Sequence, residues 1–254
     1  MYPIFVRIGN FVIYWYGVLV ALGVFISISI FQKESQKEGF DEKFISQITF
    51  WTIIFGIFGA RLLHIFVNIF YYILNPSEIF KLRNGGLAIE GAVLSSLIFI
   101  VIFTKIKKIS SIKILDTMSI AVPIGQSIGR IGCFLNGCCY GKETDFILGI
   151  KFPFLEKKVH PTQLYYSFFN ILLFIAIKKL SRYFKKGEGI LFSTYLIGFS
   201  LIRYFVDFLR GDLKKTSIDL YATQIIGIII FIIGSGVLIF SIIKKDRKHG
   251  QTFI

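Results

Sequence analysis

Acidic side chains are scarce in this chain. Fifteen Asp and Glu stand against 29 Lys and Arg, a formal net charge of +14 over 254 residues. Cysteine and histidine number three each, and no CxxC pair occurs. An odd cysteine count with a single nearby histidine, His160, is a poor zinc signature. Cys133, Cys138 and Cys139 therefore read first as small packing residues, with a disulfide or a metal site as the alternatives. There is no Walker loop and no metal-ligand cluster in sequence, so the expectation is that no nucleotide, metal or other cofactor is required. No internal repeat or inverted symmetry stands out, which argues against many transporter architectures. The first apolar run lacks a basic leading region and a small-residue cleavage site, so no cleavable signal peptide is expected.

Apolar residues are abundant, at 54%, with a mean hydropathy of +0.70. They come in long runs, and a membrane span needs about 20 mostly apolar residues. Seven such runs are legible, at about 10–31, 45–73, 86–104, 112–137, 162–180, 189–209 and 221–243. The fold class expected is all-α: one polytopic transmembrane domain over 1–254. Loops 74–86 and 138–161 form a small outer cap, and 244–254 form a basic cytoplasmic tail. The connections on the side of the C-terminus carry sixteen Lys and Arg and the opposite side ten, which places the N-terminus outside and the C-terminus in the cytoplasm. The basic charge suits anionic leaflets; its scatter over short loops disfavours nucleic acid.

Three basic residues fall inside spans: Arg61, Arg130 and Arg203. An intramembrane charge is costly and points to function. Only Asp116, Asp207 and Glu90 are available as buried acids, so surplus positive charge is expected. Guanidinium groups engage phosphate oxygens in bidentate fashion, which suits a lipid phosphate. Arg203 and Asp207 are four residues apart and share a helix face. Gly85 and Gly86 open a span in which Glu90 lies about one turn inside. The glycines suit close backbone approach or an anion at a helix N-terminus. Glu90 is a candidate proton acceptor or an arginine partner. Gly125 and Gly129 form a GxxxG helix-packing pattern. Tyr14-Trp15-Tyr16-Gly17 reads as an interfacial aromatic belt. His160-Pro161-Thr162-Gln163-Leu164-Tyr165 is a polar start to the fifth span. Both polar loops join the unusual motifs, so the chemistry is expected toward the outer half of the bundle.

Taken in order, these segments resemble the bacterial prolipoprotein diacylglyceryl transferases. The resemblance is carried by Trp15-Tyr16-Gly17, Gly59-Ala60-Arg61, Gly85-Gly86-Leu87, Gly129-Arg130-Ile131-Gly132 through Asn136-Gly137, the His160–Tyr165 segment and the Arg203–Asp207 pair. It covers nearly the whole chain. It implies transfer of the diacylglyceryl group of phosphatidylglycerol to the lipobox cysteine of prolipoproteins, forming a thioether and releasing glycerol 1-phosphate at the bacterial inner membrane. It puts Arg130 and Arg203 on the lipid phosphate. Tyr16 becomes a headgroup contact, Asp207 orients Arg203, and Asn136 and Gly137 shape the site. Arg61, Gly85, Gly86, His160 and Gln163 join the substrate-binding set, and Glu90 joins the catalytic one. The chain departs from the family pattern at Glu90 (often His or Tyr), Cys133 (commonly Asn), Cys138 (commonly Glu) and Tyr166 (often an acid). Two other readings remain: a non-catalytic lipid-binding relative, and a membrane anion carrier. A carrier calls for a polar stripe through several spans, which the fifth and seventh barely supply.

Overall fold

A computed structural model describes residues 3–9, 11–81, 85–213, 216 and 219–250. Residues 82–84 of the expected 74–86 loop, Lys214 and Lys215, and residues 251–254 of the expected tail lie outside the described residues.

The chain opens on a β-hairpin, β1 (Ile4–Ile8) and β2 (Phe11–Tyr14), paired antiparallel from Ile4↔Tyr14 to Ile8↔Phe11 with a bulge between Ile4 and Val6. The first span, expected from about residue 10, therefore starts at Trp15, after a short hairpin in a mostly helical chain. The segment FVIY is β-branched and aromatic, which favours a pleated strand over a helix start. Helices follow as α1 (Trp15–Lys37), α2 (Glu42–Val67), α3 (Ile69–Leu74), α4 (Ile89–Ile106), α5 (Ser111–Asn136), α6 (Thr162–Leu180), α7 (Ile190–Asp207) and α8 (Ala222–Gly250). The expected span 45–73 is split, because the Asn68 side chain donates to the His64 carbonyl at 2.9 Å and α2 ends there. Such local side-chain bonds compete with helix continuation.

Six helices (α1, α2, α4, α5, α7 and α8) are long and apolar enough to cross a membrane. The 19-residue α6 is more polar. It turns Thr162, Gln163, Ser167 and Asn170 inward, and all four are buried. The protein is thus a mostly helical, multi-pass membrane protein.

The chain divides into two compact units, residues 1–34 with 112–254, and residues 35–111. In the first, α6 packs on α7 and α7 on α8. An apolar cluster of Ile120, Leu173, Ile177 and Leu191 joins α5, α6 and α7. Asp116 on α5 is fully buried and accepts from the amides of Gly187, Gly189 and Phe192 at 2.8–2.9 Å. It fills the donor-rich start of α7, where a carboxylate is favoured. One of the three acids counted as arginine partners is therefore used to cap a helix. Glu34 on α1, itself buried, takes Lys178 and Lys186 in an ion triad.

Gly23 on α1 and Gly125 on α5 bring two helices into backbone contact. A Cβ on Gly23 would lie 2.8 Å from the Gly125 carbonyl oxygen. Gly129, the other half of the GxxxG pattern, has open space around its Cβ position. The close packing is carried instead by Gly125 and Gly132, whose Cβ position meets Tyr16 and Leu19 at 3.3 Å. In the second unit α2 packs on α4.

Candidate functional site

The first unit gathers Arg130, Tyr166, Arg203, Asp207 and Arg210. Arg130 extends from the penultimate turn of α5. Its guanidinium carbon lies 4.1 Å from the centroid of the Tyr166 ring on α6, a cation–π distance. The Tyr166 hydroxyl donates to Asp207 Oδ1 at 2.5 Å. Asp207, at the end of α7, is fully buried. Arg203 Nε lies 3.8 Å from its Oδ2, and Arg210 Nη1 3.8 Å from its Oδ1. Arg210 is in turn held by Asp212 through two bonds of 2.8 and 2.6 Å.

Two of the three arginines, Arg203 and Arg210, share two acids here, and Arg130 is the one without an acid. Among the described residues its guanidinium donates no hydrogen bond and forms no ion pair, and it lies over the π face of Tyr166. Its planar donors thus remain available to a bidentate anion.

The loop from 138 to 161 frames this network. Gly141 bridges to Arg210, the Lys142 amide donates to the Leu209 carbonyl at 2.7 Å, and Ile150 pairs with Val159. Phe152, fully buried, anchors the loop. At the start of α6, Gln163 Nε2 donates to the Cys138 carbonyl at 2.5 Å and Thr162 to the Cys139 carbonyl at 2.6 Å. His160 Nδ1 lies 3.2 Å from the Tyr165 hydroxyl, and burial holds its imidazole below the ordinary pKa. Gly137 takes φ +74°, and a Cβ there would strike the Phe154 ring at 2.9 Å. Asn136 ends α5 exposed, and Tyr16, in the first turn of α1, is 44% exposed.

The second unit holds the remaining sequence-predicted residues. Arg61 on α2 is 8% exposed, and its donors go to backbone carbonyls. Nε bonds Ile79 at 3.0 Å, Nη1 bonds Gly85 and Gly86 at 2.9 and 3.0 Å, and Nη2 bonds Glu78 at 2.5 Å. Gly86 takes φ +77°, and a Cβ would lie 2.5 Å from Arg61 Nη1. That close approach is the one its sequence suggested. Glu90 falls in the first turn of α4, a helix apolar enough to cross a membrane, with its side chain on the exposed face.

In the sequence Tyr166 stands out only as a departure from the family pattern, and nothing marks Arg210. Tyr166 lies on an α6 face of buried polar residues. That face, at positions 163, 166, 167 and 170, is a helical polar stripe that could have flagged it.

The fold and this network define a mostly helical, multi-pass membrane protein with three arginines gathered around Tyr166 and a buried aspartate. A family model described as prolipoprotein diacylglyceryl transferase matches residues 3–240. Three curated relatives named phosphatidylglycerol–prolipoprotein diacylglyceryl transferase are similar over almost their whole length. That of Clostridium tetani is 38% identical, covering 99% of this chain and 100% of the relative. That of Clostridioides difficile is 36% identical, covering 93% of each. That of Lysinibacillus sphaericus is 32% identical, covering 95% of this chain and 93% of the relative. The chain belongs to the prolipoprotein diacylglyceryl transferase family.

Proposed function

We propose that this protein transfers the diacylglyceryl group of phosphatidylglycerol to the lipobox cysteine of a prolipoprotein signal peptide. The products are a thioether and glycerol 1-phosphate, and the step is the first of lipoprotein maturation. The observation that carries the reading is Arg130, held by the Tyr166 ring with its donors uncommitted among the described residues. As the carbon–oxygen bond breaks, negative charge builds on the departing phosphate. Fixed guanidinium groups in a water-poor site stabilise that charge most strongly in the transition state.

Arg130 and Arg203 receive the phosphate, and Asp207 orients Arg203. Tyr16, Asn136 and Gly137 border the headgroup. Gln163 and His160 hold the loop that frames it. Arg61 acts through the backbone of the Gly85–Gly86 segment rather than on the lipid. Glu90 is the candidate acceptor of the thiol proton, because the thiolate is the nucleophile.

The two units work as one catalytic domain with seven spans, α6 included. The N-terminus is outside, the C-terminus cytoplasmic, and the site lies in the outer half of the bacterial inner membrane. The lysine and arginine distribution supports this orientation.

The test is purified protein in detergent with phosphatidylglycerol and a synthetic lipobox peptide. The expected result is the diacylglyceryl mass on the peptide together with released glycerol phosphate, both lost in Arg130→Ala. Lipid retained without thioether would make the chain a lipid-binding relative instead. In the same assay, Glu90→Gln slows transfer severely if Glu90 takes the proton, and an unchanged rate removes that role.

A further inference from the structure

Cys133, Cys138 and Cys139 are absent from the chemistry above, yet they form one cluster. Their Sγ atoms lie within 4.8 Å of one another, and all three are unoxidised and partly buried. Cys133 follows Arg130 by three residues on α5, so the two share a helix face.

The turn that brings the other two thiols back is fixed through its backbone. The Cys138 amide donates to the Cys133 carbonyl at 3.2 Å. Gln163 and Thr162 clamp the carbonyls of Cys138 and Cys139. Cys139 adopts φ +62°, a left-handed conformation uncommon for a residue other than glycine and found disproportionately at functional sites.

A zinc–sulfur bond of about 2.3 Å places thiolates of one metal about 3.8–4.0 Å apart. With its Sγ atoms within 4.8 Å of one another, the cluster reaches that spacing with shifts of no more than about 1 Å. Cys138 and Cys139 are poor disulfide partners, since adjacent Cα atoms are about 3.8 Å apart, below the usual range of a bridged pair.

We propose that Cys133, Cys138 and Cys139 bind one zinc-class cation as thiolates, with the acceptor thiol of the transfer reaction as its fourth ligand. The second half rests on the function proposed above. Among the described residues no fourth Cys, His, Asp or Glu joins the cluster. Three protein ligands with one open position is the pattern of a catalytic zinc rather than a structural one.

A thiol that coordinates zinc is deprotonated outright. Its proton leaves to solvent or to an acceptor as it binds. The bound sulfur then attacks the glyceryl carbon. The carbon–sulfur bond forms, the carbon–oxygen bond breaks, and its electron pair leaves with the phosphate toward Arg130. The product thioether is neutral and a weaker ligand than a thiolate, so it departs.

The test uses full-length protein in detergent under reducing conditions, loaded with zinc and then freed of excess. Elemental analysis is expected to give one zinc per chain. The Cys133→Ser/Cys138→Ser/Cys139→Ser variant is expected to hold none. Cys138→Ser alone guards against misfolding of the triple variant, and should weaken zinc by more than the ~10–100-fold that outer-shell changes cost.

Cobalt in place of zinc supplies a thiolate charge-transfer band. That band should grow when a lipobox peptide is added and stay unchanged with its Cys→Ser counterpart. Folded wild-type protein that holds no zinc, metal retained by the triple variant, or a cobalt band indifferent to the cysteine peptide each overturns the proposal. Zinc and cobalt signals as expected, with no diacylglyceryl transfer from phosphatidylglycerol, would instead overturn the proposed function.

Discussion

Tyr166 joins Arg130 to Asp207: its ring lies under the guanidinium and its hydroxyl donates to the carboxylate. The two contacts separate by substitution. Tyr166→Phe keeps the ring and removes the donor. Asp207 is fully buried and its Oδ2 has no hydrogen-bond partner among the described residues. Losing the bond at Oδ1 therefore leaves a desolvated carboxylate held by two arginines at 3.8 Å. We expect a loss of about 1–3 kcal/mol in stability, measured as a lower midpoint of thermal unfolding in detergent. Tyr166→Leu removes the ring as well, and should lower transfer further than Tyr166→Phe.

Arg130→Lys tests whether charge alone suffices at this position. Lysine keeps the charge but has neither the planar fork nor the stacking surface of arginine. If Arg130 engages the departing phosphate in bidentate fashion, Arg130→Lys should behave nearly as Arg130→Ala. The expected loss is about 10²–10³ in transfer rate, the scale of removing one preorganised transition-state donor. Transfer by Arg130→Lys close to the wild-type rate would show that only a point charge is needed.

The long helices were legible because each is a run of apolar residues with charged ends, and α6 matches its expected 162–180 limits. The hairpin was not legible, since FVIYWYGVLV is apolar throughout and only its β-branched content separates strand from span. The arginines illustrate a deeper limit. Sequence counted Arg61, Arg130 and Arg203 alike as buried charge. Whether a guanidinium faces carbonyls, a carboxylate or an aromatic ring depends on chain segments far away in sequence. Arg61 finds its carbonyls 17–25 residues downstream. Arg130 finds Tyr166 across a long loop. The cysteines left packing, a disulfide and a metal site open for a related reason: spacings of five and one resemble no metal motif, and only the turn at Gly137 and Cys139 brings the three Sγ atoms together.

Arg61 should act as a positioning residue. Its four bonds hold the carbonyls of Glu78, Ile79, Gly85 and Gly86, and a lysine can reproduce only part of that fork. Arg61→Lys should loosen this segment, seen as faster amide hydrogen exchange at residues 85–88 with α5 and α6 unchanged. A positioning role also predicts that transfer falls mainly through kcat, because Arg61 then makes no contact with the lipid phosphate. A rise in KM for phosphatidylglycerol with kcat unchanged would return Arg61 to direct lipid contact.

His160 gives the protein a pH-dependent term with a defined sign. Burial lowers its folded pKa below the ordinary value, so the fold favours the neutral ring. Between the folded and unfolded pKa values the unfolded chain binds more protons, and stability rises with pH there. The contribution is complete above the unfolded value, near pH 6.5. It is lost as pH falls from that value to the lower folded pKa. Partial exposure keeps the effect small. Comparison with His160→Gln isolates it, since glutamine can keep a polar contact with the Tyr165 hydroxyl but does not titrate. The difference in unfolding midpoint between wild type and His160→Gln should be constant at neutral pH and shift against the wild type on acidification below about pH 6.5. A difference that stays constant down to about pH 5 would mean that the imidazole titrates alike in the folded and unfolded chains.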